Sequence, residues 1–422
     1  MITIPIGALA ALLLAIVILA LLLWSAKRRR RPRLDFEHRG GLRELLPSVV
    51  GLTHGTLVPG NKLELLQNGR YFDVLFPALE AAKETIDLET FLCKSGDVTR
   101  RIADTLSKKA AEGVEVRVLL DASGGKKFGR KGMKQMREAG CKVRVYHPLR
   151  FGNLARMNNR DHRKIVVIDG RLAFAGGHCL VDTWLGEAED KEHFRDISLR
   201  AEGPVVAQLQ AAFSENWVEE TGDVPAGEQF FPELEHVGEA KAHAVYTTPA
   251  GSPSAVELLH YLAIRAAKER ITIQNPYFLP DPDARLALVD AVKRGVEVRV
   301  MIPAVTATDA PVVQHASHHH FGTLLKGGVR IWEYEKTLLH QKVMTVDGCW
   351  SSIGSTNFDD RSFELNDEVS VGVYDERIAR ELEETFERDT RHAREVKLEE
   401  WKGRPLWHKV VDGTVYLFNE QL

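Results

Sequence analysis

Hydrophobic positions recur with two different periods along most of the chain. Some stretches repeat at the spacing of one helix face, and others are short apolar runs typical of strands. Gly113 and Gly140 follow two of the helical stretches, as expected at helix C-termini. The predicted elements are helices at 71–83, 98–111 and 131–139 and strands at 85–91, 114–120 and 142–146. This alternation predicts an α/β fold with a central mixed sheet flanked by helices.

The second half of the chain repeats this pattern. Residues 112–118 return as residues 294–300 with a single change. The predicted elements here are helices at 255–268 and 284–293 and strands at 271–275 and 296–302. A solenoid would need several short units, whereas one long repeat predicts two similar α/β domains. We place these domains at residues 42–225 and 240–422, with the boundary in the stretch 222–238.

Residues 2–24 are uncharged and almost wholly apolar. As a helix they would be roughly 35 Å long, enough to cross a hydrocarbon core of about 30 Å. The alternatives are a cleaved signal peptide and a buried core helix. Positive charge follows the apolar run instead of preceding it, and the run is long for a core helix. We therefore predict a single-pass transmembrane anchor.

A charged linker follows the predicted anchor at residues 25–41, with six lysine and arginine residues between positions 27 and 33. Basic residues beside a membrane span stay on the cytoplasmic side, so we expect the rest of the chain to face the cytoplasm. The basic cluster also suits anionic lipid headgroups, although setting the topology explains it without any lipid contact.

The composition adds two constraints. Of 422 residues, 44% are hydrophobic and 27% are charged, which is typical of an ordinary two-domain globular protein. The formal net charge of −3 disfavours a nucleic-acid partner, because domains that bind nucleic acids are usually basic. The four cysteines show no CxxC spacing, which favours a reducing compartment and argues against structural zinc.

A short polar pattern stands before an apolar strand in each half. It reads His, one residue, Lys, four residues, Asp, six residues, Gly. The two copies are His162, Lys164, Asp169 and Gly176, and His340, Lys342, Asp347 and Gly354. Because alternate residues of a strand share a face, each His and Lys should point the same way. Two copies with identical spacing make coincidence improbable and predict one site built from two halves.

These residues suit phosphodiester transfer. One imidazole can attack phosphorus, and the other can protonate the leaving oxygen and then deprotonate the incoming alcohol. The lysines supply fixed positive charge for the phosphate oxygens, and Asn357 adds a neutral donor. This chemistry needs no metal or other cofactor, and no carboxylate cluster suggests one. The residues alone do not decide which histidine is the nucleophile.

The duplicated motif resembles that of the phospholipase D superfamily, and its surroundings resemble bacterial cardiolipin synthases. Residues 358–368, after the second motif, are very similar to the corresponding stretch of those synthases, and residues 194–204 resemble the stretch after the first. The resemblance extends from about residue 42 to the C-terminus. It implies two phospholipase D-like domains packed about a pseudo-two-fold axis.

The resemblance also implies roles for individual residues. His162 would be the nucleophile that forms a phosphohistidine, His340 the acid, and Asp169 and Asp347 would orient the motifs. The implied catalytic residues are His162, Lys164, Asp169, His340, Lys342 and Asp347, and the implied phosphate-binding or supporting residues are Gly176, Gly177, Ser355, Asn357, Glu364 and Asn366. The implied substrates are phosphatidylglycerol and a donor phospholipid in a bacterial inner membrane, with the catalytic part in the cytoplasm.

One position departs from the family pattern. The second copy has Asn357 where the first has Cys179, and a thiol is a weak donor. His178 either substitutes for the missing donor or is a structural histidine. Three alternatives to a synthase follow: a lipid hydrolase of the same chemistry, a nuclease, and a non-catalytic scaffold. The nuclease is disfavoured by the anchor and the weak basic character, and the scaffold by the retention of both His-Lys pairs.

Two further features have plain and functional interpretations. His315, His318, His319 and His320 resemble a metal-binding tract, but neighbouring histidines on a helix point in different directions, which favours a helix near the lipid cleft without a metal. A charged helix is predicted at 376–394, and the tail beyond it contains Trp401 and Trp407. These residues either touch the membrane interface or, as is more usual, close the core of the last domain.

Overall fold

The computed structural model describes residues 33–36, 40–148, 159–248 and 253–416, together with 7, 13–15, 18 and 19. The predicted anchor at 2–24 and most of the predicted linker at 25–41 therefore lie outside the described residues. Within the described part of the chain, no helix is both long enough and apolar enough to span a membrane.

The first half of the chain alternates helices and strands as expected. Its helices are α1 (Leu42–Leu52), α2 (Arg70–Ala81), α3 (Asp97–Ala111), α4 (Arg130–Glu138) and α5 (Val205–Thr221). Its strands are β1 (Val58–Gln67), β2 (Thr85–Thr90), β3 (Glu115–Asp121), β4 (Lys142–Tyr146), β5 (Ile165–Ile168), β6 (Leu172–Gly176) and β7 (Ile197–Glu202).

The second half repeats the order and adds elements at its end. Its helices are α6 (Ala255–Ala266), α7 (Pro282–Lys293), α8 (Pro311–Lys326), α9 (Asp360–Glu364), α10 (Glu376–Thr390), α11 (Leu398–Gly403) and α12 (Leu406–Tyr416). Its strands are β8 (Ala240–Thr247), β9 (Arg270–Gln274), β10 (Glu297–Pro303), β11 (Arg330–Tyr334), β12 (Val343–Val346), β13 (Trp350–Gly354), β14 (Glu368–Tyr374) and β15 (Ala393–Glu395).

The described strands form one 15-stranded mixed sheet in the order β15-β11-β10-β9-β12-β13-β14-β8-β1-β7-β6-β5-β2-β3-β4. Apart from β15, the order reads the same outward from the antiparallel β1–β8 pair, so the two halves are related by a pseudo-two-fold axis at that pair. This confirms the predicted fold of two similar α/β domains around a mixed sheet.

The hydrophobic core has three main parts. One lies in each half, and a third is shared, because apolar residues of β5, β6 and β7 pack with those of β12, β13 and β14. Strands β5 and β12 are buried along their whole length. Since each motif leads directly into one of these strands, burial on both faces fixes where the motif residues lie.

Three features differ from the sequence-based expectations. Helix α1 was assigned to the first domain, but its Leu45 and Val49 join the core of the second half. Strand β1 was not predicted, because Pro59 and Gly60 interrupt its alternation, and its pairing with β8 is irregular there. The predicted helix at 376–394 ends at Thr390, because the following residues form β15 and pair with β11.

The C-terminal tail mostly closes the core. The ring of Trp401 packs on Phe321 with 4.9 Å between centroids, as expected for the plainer of the two interpretations. Trp407 is 61% exposed, so this side chain is available to a surface partner. Residues 33–36 also contact the fold, since the backbone N–H of Leu34 donates to Asp283 at 2.9 Å.

Candidate active site

The two motifs meet across the interface between the halves. The backbone N–H of His162 donates to the carbonyl oxygen of Asp367 at 2.9 Å, and that of His340 donates to the carbonyl oxygen of Arg195 at 2.7 Å. Both histidines are 8% exposed. Each motif is therefore fastened by its backbone to the other half of the chain, as the prediction of one site from two halves required.

Each imidazole is also held by a carboxylate from the other half. Nδ1 of His162 lies 2.8 Å from Oε1 of Glu368, and Nδ1 of His340 lies 2.7 Å from Oδ2 of Asp196. A carboxylate at Nδ1 fixes the ring orientation and the tautomer. Nζ of Lys342 also lies 3.0 Å from both ring nitrogens of His340. The His162 ring is flanked edge-on by Phe91, and the His340 ring is flanked edge-on by the indole of Trp184.

Burial sets the proton affinities of these groups. Burial lowers the pKa of His162 to about 4, although Glu368 opposes the shift. The pKa of His340 is also lowered by burial and by Lys342, with Asp196 opposing. For both carboxylates burial raises the pKa, but the adjacent histidine together with a nearby lysine charge and further contacts outweighs burial and lowers the pKa. At neutral pH these shifts favour neutral imidazoles beside ionised carboxylates.

The two lysines are buried beside the histidines. Nζ of Lys164 donates to the main-chain oxygen of His162, and Nζ of Lys342 donates to that of His340. The charges of both lysines help to lower the pKa of His162, so all four side chains belong to one electrostatic cluster. Burial lowers the pKa of Lys342 to about 7, and the charge of Lys164 contributes to the shift. This cluster is suited to an anionic ligand.

The glycines after the motifs allow close packing. A Cβ on Gly176 would lie 2.5 Å from Cα of Ser198, and one on Gly354 would lie 2.1 Å from the carbonyl oxygen of Val369. A Cβ on Gly177 would lie 2.2 Å from the carboxylate of Asp196. These contacts explain the glycines by strand packing and by the space that the Asp196 carboxylate occupies. Direct phosphate contacts are not needed to account for them.

Ser355, which the resemblance implied to bind phosphate or to support the site, holds the orienting carboxylate. Its hydroxyl donates to Oε2 of Glu368 and accepts the backbone N–H of Val369 at 3.1 Å. In the first half, where glycine stands at the matching position, the indole N–H of Trp184 donates to Asp196 at 2.7 Å. Both carboxylates thus have a second donor, but from different places in the chain.

Asn357 and Cys179 occupy matching positions after β13 and β6. Asn357 is 5% exposed, and its amide oxygen has no hydrogen-bond partner among the described residues. Cys179 is buried, and burial raises the pKa of its thiol. His178 does not replace the missing amide, because its ring nitrogens lie 2.7 Å from the Ser198 hydroxyl and 2.9 Å from the carbonyl oxygen of Asn68.

Asp169 and Asp347 lie away from the histidines, at the opposite ends of β5 and β12. The carboxylate of Asp169 accepts the backbone N–H groups of residues 83–85, and that of Asp347 accepts those of residues 268–270. Both have a φ of +52°. These contacts fix the chain that enters β2 and β9, so the structure assigns the two aspartates to a turn and not to the reacting groups.

Glu364 and Asn366 stand near the site without joining its hydrogen bonds to the histidines. Glu364 ends α9, and the backbone N–H of Asn366 donates to the carbonyl oxygen of Arg361 at 3.0 Å. The functional carboxylates that sequence reasoning missed are Glu368 and Asp196. A signal for them exists, since residues 196–199 and 368–371 both read acid, aliphatic, serine, aliphatic at the start of a strand.

A charged cluster lies behind the first motif. Arg163 donates its backbone N–H to Asp161 at 3.1 Å and is fully buried with Glu89 and Asp367. Burial raises the pKa of Glu89 to about 7 and that of Asp367 to about 7, and it also raises the pKa of Asp161. Burial thus favours the protonated form of all three carboxyl groups, while the guanidinium of Arg163 pairs with Glu215 at 2.7 Å.

The corresponding cluster behind the second motif is balanced. Nε of Arg195 lies 3.1 Å from Oδ1 of Asp389. The other oxygen of Asp389 accepts the amides of Gln274 and Gln341 at 3.1 and 3.2 Å. Here one cation pairs with one anion, and two amides donate to that anion.

The arrangement defines a class of enzyme. Two oriented imidazoles and two lysine side chains converge from the repeated halves. These are the groups that phosphodiester transfer of the phospholipase D type requires. Among the described residues, the side-chain groups with metal-ligand geometry are found elsewhere in the molecule.

Comparison with known proteins identifies the family. A family model described as "Cardiolipin synthase, PLD-like domain" matches residues 75–217 and 262–390. The chain is 34% identical to the probable cardiolipin synthase YwiE of Bacillus subtilis, covering 81% of this chain and 68% of that protein. It is 34% identical to cardiolipin synthase of a Geobacillus species, covering 93% of this chain and 76% of that protein. The chain therefore belongs to the cardiolipin synthase family.

A solved structure supports the fold. Phosphatidylserine synthase of Haemophilus influenzae matches with a TM-score of 0.66 at 12% identity, covering 90% of this chain and 100% of that chain. At this identity the match establishes the shared architecture alone.

Proposed function

We propose that the protein is a membrane phosphatidyltransferase that makes cardiolipin from phosphatidylglycerol and a donor phospholipid. The observation that carries this proposal is the pair of buried histidines, each held at Nδ1 by a carboxylate from the other half. The family of the chain supports the lipid substrate class.

The first step transfers the phosphatidyl group to the protein. Nε2 of His162 attacks phosphorus, and the bond from phosphorus to the headgroup oxygen breaks. Nε2 of His340 gives its proton to that oxygen, so glycerol leaves as a neutral alcohol when phosphatidylglycerol is the donor. Lys164 and Lys342 balance the charge on the phosphate oxygens, and Asn357 adds a neutral donor.

The second step transfers the group to the acceptor lipid. A hydroxyl of phosphatidylglycerol gives its proton to Nε2 of His340, its oxygen attacks phosphorus, and the bond from phosphorus to His162 breaks. The product is cardiolipin, and both histidines return to their starting states.

We assign His162 as the nucleophile and His340 as the acid, as the resemblance to the family implies. A nucleophilic imidazole must be neutral, and the pKa of His162, lowered by burial to about 4, keeps it neutral at physiological pH. The acid must carry a proton; burial and Lys342 lower the pKa of His340, and Asp196 opposes that shift. The negative charge of a bound phosphodiester acts in the same direction.

A membrane anchor would place this site beside its lipids. Residues 2–24 are apolar, and the six of them that the structure describes are helical and lie in exposed positions. We propose that this segment crosses the inner membrane once and leaves the catalytic part in the cytoplasm, as the basic residues after it predict.

The experiment that tests this function uses the full chain in vesicles that contain labelled phosphatidylglycerol. We expect cardiolipin and glycerol in equal amounts, with no product from His162→Asn. Phosphatidic acid as the sole lipid product would replace the synthase with a hydrolase. Cleavage of single-stranded DNA without lipid products would indicate a nuclease, and no product from folded protein would contradict an enzymatic role.

A further inference from the structure

Two helices of the second half bring three potential metal ligands together. His315 and His318 are three residues apart on α8, so they share one face of that helix. Asp412 comes from α12 and is 1% exposed. Each of the three side chains offers one donor atom, and these atoms all lie within 4.8 Å of one another.

The spacing and partners suit a metal ion. Nδ1 of His315 lies 3.0 Å from Oδ1 of Asp412, close to the separation of roughly 3.3 Å between ligand atoms in a tetrahedral site with bonds of about 2.0–2.1 Å. Nε2 of His318 lies 2.8 Å from Oε1 of Glu333. Glu333 can therefore orient the His318 ring.

Arginines hold the far side of both carboxylates. Arg404 donates to Oδ2 of Asp412 at 2.8 Å, which leaves Oδ1 directed at His315. In the same way Arg394 donates to Oε2 of Glu333 at 2.6 Å, while Oε1 faces the histidine on α8. Each acid thus has one oxygen fixed by an arginine and one directed towards the imidazoles.

The charge of the adjoining cavity has the sign that a cation requires. This cavity of about 350 Å³ is lined by four carboxylates and two guanidinium groups. They are Glu333, Glu335, Glu400, Asp412, Arg394 and Arg404. The two negative charges in excess match one divalent cation.

We propose that His315, His318 and Asp412 bind one divalent transition-metal ion, with zinc favoured by the mixture of imidazole and carboxylate ligands. The ion fastens α12 onto α8. Its site is separate from the motif histidines, so it stabilises the fold and takes no part in the transfer. The other two histidines of the tract do not converge on it: His319 stacks on Tyr416, and His320 contacts Arg285.

The fastened helix adjoins the catalytic region. Val415 of α12 packs against Leu279 and Val313. Asp309, just before α8, accepts a hydrogen bond from Tyr277 at 2.8 Å, and its charge opposes the lowering of the pKa of His340 by burial. An ion that holds α8 and α12 together therefore steadies one wall near the reacting groups.

The test measures binding and stability separately from activity. The full chain in detergent micelles is stripped with EDTA, dialysed and titrated with Zn²⁺ by calorimetry and in thermal unfolding. We expect one bound equivalent and, at a hundredfold excess over Kd, a rise in Tm of about 3 °C. An unchanged Tm together with no saturable binding would overturn the proposal.

Matched variants locate the ion. His318→Ala and His315→Ala should each abolish the bound equivalent and the rise in Tm. If His318→Ala fails to fold, His315→Ala still tests the site, because it leaves the Arg404–Asp412 ion pair in place. His319→Ala, on the same helix, should keep both. The exposed group Glu189, Asp190 and His193 is the other described cluster with suitable geometry. Loss of the equivalent in His193→Ala, with retention in His318→Ala, would refute the site.

Discussion

The two halves of the active site follow one plan but hold their histidines with different groups. His162 depends on Glu368, which a serine hydroxyl supports, whereas His340 depends on Asp196, which an indole N–H supports. The difference shows that repetition preserved the position of the carboxylate but not its donor. What each histidine requires is an oriented anion at Nδ1, and more than one local structure provides it.

The buried surroundings of the two halves differ more strongly. Behind the first motif, one arginine is buried with three carboxyl groups whose pKa values are raised. Behind the second, one arginine faces one carboxylate and two amides. We infer that the halves have separated in role, and the following predictions test this comparison in order of decreasing effect.

The largest effect should come from the histidines themselves. His162→Asn and His340→Asn should each lower cardiolipin formation on the order of 10⁴-fold or more. A donor lipid with an activated aryl leaving group needs no acid, so His340→Asn should still form a phosphohistidine and accumulate it. His162→Asn should form none, as measured by acid-labile labelling of the protein. Labelling with the opposite pattern would exchange the two roles.

The orienting carboxylates should have the next largest effect, roughly 10²-fold for Asp196→Asn and Glu368→Gln. Asp196 raises the pKa of His340, so its loss lowers that pKa, and the alkaline limb of kcat moves to lower pH. Glu368 raises the pKa of His162, which is already about 4, so its loss leaves that imidazole neutral at pH 7. Glu368→Gln should therefore lower kcat without moving the profile near neutrality.

These two pH profiles, measured on folded protein of unchanged Tm, decide whether the halves differ. If both variants moved the alkaline limb equally, the acid role would not belong to one half.

A smaller effect should follow from the groups that support the carboxylates. Trp184→Phe removes the N–H that donates to Asp196, and Ser355→Ala removes the hydroxyl that donates to Glu368. Each should lower kcat about tenfold, since one buried hydrogen bond to a charged group contributes about 1.5 kcal/mol. The double variant should show the product of the two losses if the halves act independently. A much smaller combined loss would mean that they act as one unit.

The smallest expected effect is on the free energy of unfolding, and it tests whether the buried charged clusters behind the two motifs differ. The pKa of Asp367 is raised by burial from 3.8 to about 7, so the folded state gains stability below pH 4 and loses it as the pH rises from 4 to 7. Asp367→Asn should reduce this loss by about 1 kcal/mol or more, given about 1.4 kcal/mol per pKa unit. Denaturant unfolding at pH 5 and pH 8 measures it, and an unchanged difference would contradict the shift.

Most of the helices and strands could be predicted from the local pattern of hydrophobic residues. The apolar runs of β5 and β12, the helices that end at glycine and the long repeat all depend on neighbouring residues, and they predicted two similar halves. The motif spacing likewise predicted which histidines and lysines converge. Strand β1 was not predicted, because its first residues break the hydrophobic alternation and it is recognised as a strand only from its pairing with β7 and β8.

The rest depended on residues far apart in the chain. Glu368 lies 206 positions from His162, and Asp196 lies 144 positions from His340. No local period links such pairs, so sequence reasoning placed the supporting role on neighbouring Glu364 and Asn366 and gave Asp169 and Asp347 a part in the site. The fold shows that the latter pair instead fixes turns at the far ends of the motif strands.

The seam between β1 and β8 has a consequence for synthesis on the ribosome. The first half emerges with one edge of β1 unpaired and with His162 lacking its carboxylate, because β8 and Glu368 are translated later. An unpaired edge invites association with other chains. A nascent chain thus remains vulnerable and catalytically silent until its second half docks, and completion of the sheet and activation of the enzyme become a single event.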